Sequence, residues 1–181
     1  METKIIYFVH GTTFDNDTKK SSGWKNVELN DLGIRQAKEL REQAKDPDFD
    51  ILITSDLIRA VDSANLGWPE LNKIEDNRLR ECNYGDFNGE DESKVKYEEH
   101  INIPFPNGES LKDVEKRIND FINFIKETHA DKTVAIVAHR ATQLAFEVLT
   151  KGVTWEEAIA NDWRKTKAWQ PGWKYIISID K

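Results

Sequence analysis

The sequence predicts an α/β fold with helices packed on a mostly parallel sheet, and three observations carry that prediction. Short apolar runs rich in β-branched and aromatic residues alternate with segments of helical periodicity. Three of those runs stop on residues able to do chemistry: residues 4–9 (KIIYFV) on His10, 50–54 (DILIT) on Ser55 with Arg59 close behind, and 133–138 (TVAIVA) on His139. Runs this uniformly apolar suit strands covered on both faces, as parallel strands usually are. Ligands of such sheets bind beyond the carboxyl ends of the strands. His10, Arg59 and His139 are therefore the first candidates for a site.

The remaining elements follow in order. A polar loop leaves the first strand, and Asn30 caps a helix over 31–45 in which Ile34, Ala37 and Leu40 recur at helical spacing. Ser55 caps a helix beginning at Asp56, which puts Arg59 in its first turn. Residues 73–76 give a short edge strand. Residues 82–108, with Gly85, Gly89, Pro104, Pro106 and Gly108, read as a long irregular excursion. Ser110 and Asp113 form a capping-box start to a long helix whose apolar face includes Leu111, Val114, Ile118 and Phe121. A helix follows His139 to about Leu149, and the last strand spans 174–179.

Composition sets the limits. A chain of 181 residues without repeats, low-complexity tracts or linkers suits one domain, residues 1–181, with a real core. A net charge of −7 gives no general attraction for nucleic acid or anionic membrane. It also makes any local convergence of cations telling. Cys82 is the one cysteine, which excludes an internal disulfide framework and a thiolate metal cluster, and it reads as a packing residue. The apolar run at the amino end is too short for a signal-peptide core or a membrane span, so a cytoplasmic protein is expected. The oligomeric state is left open, a dimer included.

One histidine at a strand end is most often a satisfied or surface residue, but two, each directly after a buried strand, form a constellation. No HxxH or HxxxH spacing accompanies them, so no zinc site, and no other metal or cofactor, is expected. Neutral imidazole is a good nucleophile toward phosphorus once its other ring nitrogen donates to an acceptor, which a carbonyl of the loop after His10 can supply. Arg59 can grip phosphate in a fork. The amino ends of helices starting near 56 and 140 add favourable dipoles. The leaving alkoxide needs a proton donor, and a carboxyl group beside bound phosphate is favoured in its protonated form.

Six segments then match, in order, those of one family. VHGTTFDN at 9–16, SGWKNVELNDLGIRQA at 22–37, TSDLIRAVDSA at 54–64, LRECNYGDFNG at 79–89, PFPNGESLKDVEKRI at 104–118 and VAIVAHRATQ at 134–143 together resemble branch 1 of the histidine phosphatase superfamily, which includes the phosphoglycerate mutases. The resemblance implies a three-layer α/β/α sandwich around a six-stranded, mostly parallel sheet. It implies His10 as the phosphorylated nucleophile, His139 as the second histidine, Glu81 as the acid, and Arg59 and Asn16 as phosphate contacts. Ser22, Gly23 and Thr12 or Thr13 become candidates for substrate contact, although loop polarity explains the hydroxyls equally well.

Two positions depart from the family pattern. Val9 stands where the motif has arginine, through replacement or through loss of one residue from the strand. Arg140 stands where glycine usually follows the second histidine; it either reaches into the site and restores a guanidinium, or points to solvent from the helix start. Arg78 and Arg80 flank the acid as structural or anion-attracting residues, and His100 and His129 read as surface residues. The acidic stretch 90–106 reads as a lid or substrate edge that disfavours highly anionic substrates. Trp155, Trp163, Trp169 and Trp173 either pack the tail onto the domain or form an aromatic rim around the substrate.

The leading expectation is a metal-independent phosphomonoester hydrolase acting on a small phosphorylated metabolite. A mutase-type phosphotransferase and a weakened pseudo-phosphatase that binds a phosphorylated ligand or a protein partner are the alternatives.

Overall fold

A computed structural model describes residues 2–45, 48–168 and 170–178. Trp169 of the tail cluster and Ile179 of the last expected strand lie outside the described residues. In chain order the elements are β1 (Glu2–Val9), α1 (Phe14–Asp17), β2 (Lys20–Ser21), α2 (Asp31–Gln43), β3 (Ile51–Thr54), α3 (Ile58–Gly67), β4 (Lys73–Glu75), β5 (Glu90–Asp91), α4 (Leu111–Thr128), β6 (Thr133–Ala138), α5 (Arg140–Lys151), α6 (Trp155–Ala160), α7 (Trp163–Thr166) and β7 (Trp173–Ser178).

The sheet runs β4-β3-β6-β1-β7. β1, β3, β4 and β6 are parallel, and β7 joins the outer edge of β1 antiparallel. The family resemblance implied six strands; five form this sheet. The pair β2–β5 makes a separate ribbon, because its polar two-residue strands come from loops and bury no apolar side chain.

Alternation along β1 explains why its apolar run is unbroken. Ile5 and Tyr7 point to one face, where they meet Ile136, Val114 and Phe121 of α4 and Leu144 and Phe146 of α5. Ile6 and Phe8 point to the other, where they meet Leu40 of α2, Ala60 and Ala64 of α3, and Trp68. Both faces are covered, so every position in the strand gains from being apolar.

The topology fixes where chemistry can sit. β6 lies between β3 and β1, so the carboxyl ends of these strands are neighbours, with His139 between Ser55 and His10. The register continues one step past the strands: His10 N donates to Ala138 O at 3.1 Å and Ser55 N to Val137 O at 3.0 Å. Among the described residues no helix is long and apolar enough to cross a membrane.

Two helix starts differ from expectation. α3 begins at Ile58 with Leu57 as its cap, and the Ser55 hydroxyl holds the turn before it, accepting from Leu57 N at 3.3 Å while pairing with His139. α6 and α7 fall in a stretch read only as a Trp-rich tail, although Thr154 and Glu157 form a capping box there. The long excursion carries three single-turn 3-10 segments, at Gly85–Phe87, Glu92–Lys94 and Tyr97–Glu99.

Candidate active site

His10 leaves β1 into a loop that only glycine permits. A Cβ on Gly11 would stand 2.4 Å from the carbonyl oxygen of Gly33, and one on Gly33 would stand 2.0 Å from the carbonyl oxygen of Thr12. The loop therefore lies directly on the first turn of α2. Gly11 N also donates to Ser63 Oγ on α3 at 3.0 Å, which ties the loop to the helix bearing Arg59.

The His10 ring is oriented from both sides. Its Nδ1 lies 2.7 Å from the Gly11 carbonyl, and Arg59 Nε donates to its Nε2 at 3.3 Å. Because arginine can only donate, Nε2 carries the lone pair and the ring proton sits on Nδ1. Burial, reinforced by the Arg59 charge, lowers the His10 pKa to about 3, so the ring is neutral at pH 7.

Arg59 is itself buried and is held by carbonyl groups rather than by a carboxylate. Its Nη1 donates to Lys25 O at 3.0 Å and its Nη2 to Gly23 O at 2.7 Å. Gly23 supplies that oxygen at φ +53°, and a Cβ there would stand 1.8 Å from the Asn88 amide oxygen.

His139 is fully buried, with its ring centroid 5.1 Å from that of His10. Its Nε2 lies 2.9 Å from Ser55 Oγ, and its Nδ1 has no partner. Burial, then the Arg59 charge, holds its pKa well below the usual histidine range. A buried ring nitrogen without a partner is uncommon in a folded chain and sits here beside the candidate nucleophile.

Glu81 reaches the same region from the excursion. Its Oε1 accepts from Cys82 N at 2.8 Å and from Ala141 N, in the first turn of α5, at 3.1 Å. Ile58 N at the start of α3 donates to Asn26 Oδ1. One amide at each helix end expected to face phosphate is thus already satisfied by a side chain, which weakens the dipole argument for both. The main chain around Glu81 is fixed by Arg117 of α4, whose guanidinium donates to the carbonyls of Arg78, Arg80 and Glu81 while pairing with Glu109.

A cavity of about 310 Å³ opens over these groups. His10, Arg59, Glu81, Asn16, Ser22, Gly23 and Arg140 all line it; His139 stands behind His10 and does not. Asn16 Oδ1 accepts from Thr13 N and Oγ1, which leaves its amide nitrogen for the cavity. Ser22 Oγ donates to Asp15 at 2.9 Å. Thr13 is fully buried as the cap of α1, with its hydroxyl used by Asn16; of the two candidate threonines, Thr12 lines the cavity.

Arg140 faces the cavity and is anchored at the same time. Its Nε donates to the buried Asp162 carboxylate at 2.5 Å, its Nη2 pairs with the same oxygen, and its guanidinium lies 4.4 Å over the Tyr97 ring. Of the two readings of Arg140, pointing to solvent is the one the structure overturns. Nothing near Arg140 in sequence signals Asp162, which arrives from the junction of α6 and α7. Lys20 and Arg164 also line the cavity without having been singled out by the sequence, and so does Trp163, one of the tryptophans read as tail packing or substrate rim. Trp155 and Trp173 are core residues, so the tail packs onto the sheet while Trp163 alone of the described tail tryptophans reaches the cavity.

Other side chains settle into structural places. Arg78 pairs with Asp76 and Arg80 with Asp56. Cys82 is buried in the core. His100 is half-buried and stacks on Phe105 with ring centroids 3.7 Å apart, and His129 is half-buried against Phe124, so neither is a free surface residue.

The chain is similar to known proteins over most of its length. Residues 6–169 match the model of the histidine phosphatase superfamily, branch 1. The chain belongs to that family. A 2,3-bisphosphoglycerate-dependent phosphoglycerate mutase of Methylobacterium sp. (strain 4-46) is 31% identical over 175 residues, covering 86% of this chain and 84% of the mutase. The uncharacterized phosphatase PhoE of Bacillus subtilis (strain 168) is 33% identical over 143 residues, covering 77% of this chain and 72% of PhoE. Among solved structures, a mycobacterial glucosyl-3-phosphoglycerate phosphatase complexed with VO3 superposes with a TM-score of 0.75 at 26% identity, covering 87% of this chain and 86% of that one. A histidine-dependent phosphatase is the class of enzyme that these relatives support.

Proposed function

We propose that the chain is a phosphomonoester hydrolase that works through a phosphohistidine at His10 Nε2. The observation that carries this reading is the His10 ring, buried, neutral and proton-bearing on Nδ1, with its lone pair held against Arg59 beside the unpartnered Nδ1 of His139.

A phosphate monoester entering the cavity draws Arg59 from the His10 lone pair onto its own oxygens, a charge-assisted exchange. Nε2 attacks phosphorus as the ester P–O bond breaks, and Glu81 gives its proton to the departing oxygen. Nδ1 keeps its proton and goes on donating it to Gly11 O, so the phosphorylated ring keeps its hydrogen bond. Water then attacks phosphorus, Glu81 takes its proton, and the N–P bond electrons return to Nε2. The Asn16 amide supplies a further donor to the phosphoryl oxygens. Arg140, with Nε and Nη2 on Asp162, keeps Nη1 for the ligand and restores a guanidinium in a site where Val9 offers none.

The reaction so described needs no metal, and chelation with EDTA is expected to leave the rate unchanged. The substrate is read as a small phosphorylated metabolite. A cytoplasmic location and one domain are part of the same reading.

The mutase relatives favour a second reading, in which a hydroxyl replaces water in the second step. Product analysis separates the two: free phosphate marks the hydrolase, and phosphate moved between hydroxyls marks the mutase. The test of the reading as a whole uses p-nitrophenyl phosphate with His10→Ala as control. Release of nitrophenol by the wild type and its loss in the variant are expected, together with an acid-labile phosphoryl group on His10 in a rapid quench. Equal rates in the two proteins, or none in either, would overturn it.

A further inference from the structure

Beyond the His10 end, the cavity has a second cationic region. Its walls carry Lys20, Arg59, Arg140 and Arg164 against a single carboxylate, Glu81, in a chain of formal net charge −7. A cleft lined by one sign of charge concentrates ligands of the other sign. Arg59 is committed to the His10 end and Arg140 is anchored on Asp162. Arg164 is placed differently. Its backbone is fixed by the same buried carboxylate, which accepts from Arg164 N at 2.9 Å. Its side chain lies at the mouth, where Nη2 meets Glu92 at 3.1 Å with the two side chains 42% and 41% exposed. Water competes for both charges in a pair of that kind, so the pairing contributes little and is readily exchanged for another anion. Lys20, on the β2 ribbon, makes no salt bridge among the described residues.

Four of the five carboxylates of the acidic excursion are paired, and the fifth, Asp91, lies opposite Lys20 in the β2–β5 ribbon. Glu90 pairs with Lys94, Glu98 with Lys165 and Glu99 with Lys96, in addition to Glu92 with Arg164. These pairs reduce the negative charge expected of this stretch: Lys94 and Lys96 lie within it, and Arg164 and Lys165 come to it from α7.

We propose that Arg164 and Lys20 form a second anion subsite at the cavity mouth, and that the preferred substrate is a phosphomonoester whose organic part carries its own anionic group. This rests on reading the His10 end as the seat of the reacting phosphate. A carboxylate matches the fork of the Arg164 guanidinium, and it takes the place Glu92 holds in the free protein. Glu92 is thus a competitor for the subsite, and specificity is the difference between the substrate's hold on Arg164 and that of Glu92.

The test compares two phosphate esters that differ at one group: 3-phosphoglycerate, with a carboxylate, and glycerol 3-phosphate, with a hydroxymethyl. The wild type is expected to prefer the carboxylate in kcat/KM. Arg164→Gln lowers that preference by about tenfold, the size of one charge-assisted hydrogen bond, mainly through KM. Glu92→Gln raises it, and loses that effect when combined with Arg164→Gln. No change in the ratio on Arg164→Gln, or a Glu92→Gln effect that persists in the double variant, overturns the subsite. Absence of turnover with both esters and with p-nitrophenyl phosphate overturns the hydrolase reading alone. In that case dissociation constants of the same two esters, measured by calorimetry on the same variants, decide the subsite by the same ratios.

Discussion

At the scale of single residues, His10 is neutral because its burial and the Arg59 charge both disfavour the imidazolium. The free enzyme therefore holds its nucleophile ready well below pH 6.5. The acid limb of kcat/KM is expected to follow the second ionisation of the substrate's phosphate, near pH 6, and to move when esters of different phosphate pKa are compared. A limb fixed at one pH for both esters would assign it to an enzyme group instead. Arg140 is the other residue whose chemistry depends on what surrounds it. Arg140→Ala would leave Asp162 buried without its partner, at a cost of about 3–5 kcal/mol, so a lost activity in that variant says little. Arg140→Lys keeps a charge for Asp162 but removes the fork. Vanadate affinity is expected to fall about tenfold in Arg140→Lys, as one charged hydrogen bond is lost. An unchanged affinity would show that Arg140 does not touch the phosphoryl group.

At the scale of elements, the first turn of α5 joins the chemistry to the fold. His139 is its N-cap yet makes no side-chain cap bond, and the amide of Ala141 is satisfied by Glu81 from a distant loop. Glu81 thus has a structural role on one oxygen and a proposed chemical role on the other. The two are separable. Glu81→Gln keeps an acceptor for Ala141 and Cys82 and should change the midpoint of urea unfolding little, while lowering kcat by about 10²-fold or more through loss of the acid. Glu81→Ala removes the acceptor as well and should add a loss of about 1–2 kcal/mol in stability. Equal stability of the two variants would mean that the carboxyl does not cap the helix. The element boundaries were legible where local chemistry sets them. Ser110 with Asp113 and Asn30 cap their helices as the sequence indicates. α3 starts two residues after Asp56, where the sequence indicates it, and the Ser55 hydroxyl holds Leu57 N in the preceding turn while pairing with His139, 84 positions away.

At the scale of the whole molecule, burial of two uncharged histidines under one sheet end links stability to pH. A histidine whose folded pKa is depressed costs nothing above its unfolded value near 6.5. Below that value the unfolded chain binds a proton that the folded chain refuses, so stability falls with pH until the folded pKa is reached. For His10 the window runs from about 6.5 down to about 3, with a slope of about 1.4 kcal/mol per pH unit across most of it. His10→Ala should therefore lose less stability than the wild type between pH 7 and pH 4.5, measured as the shift in urea midpoint at constant slope. Parallel losses in the two proteins would show that His10 is not held neutral by the fold.

The strands, their buried character and the residues at their ends are legible in the linear chain. These depend on hydrophobic periodicity and on neighbours a few positions away. The family is legible there as well, since VHGTTFDN, TSDLIRAVDSA and VAIVAHRATQ keep their order and spacing. How the site is charged emerges once the chain is folded. Asp162 reaches Arg140 across 22 positions and Glu92 reaches Arg164 across 72. Arg59 is held by carbonyls of a loop more than 30 positions earlier. Electrostatic partners are set by distance in space, and a chain folded through a parallel sheet brings together groups that no local pattern relates.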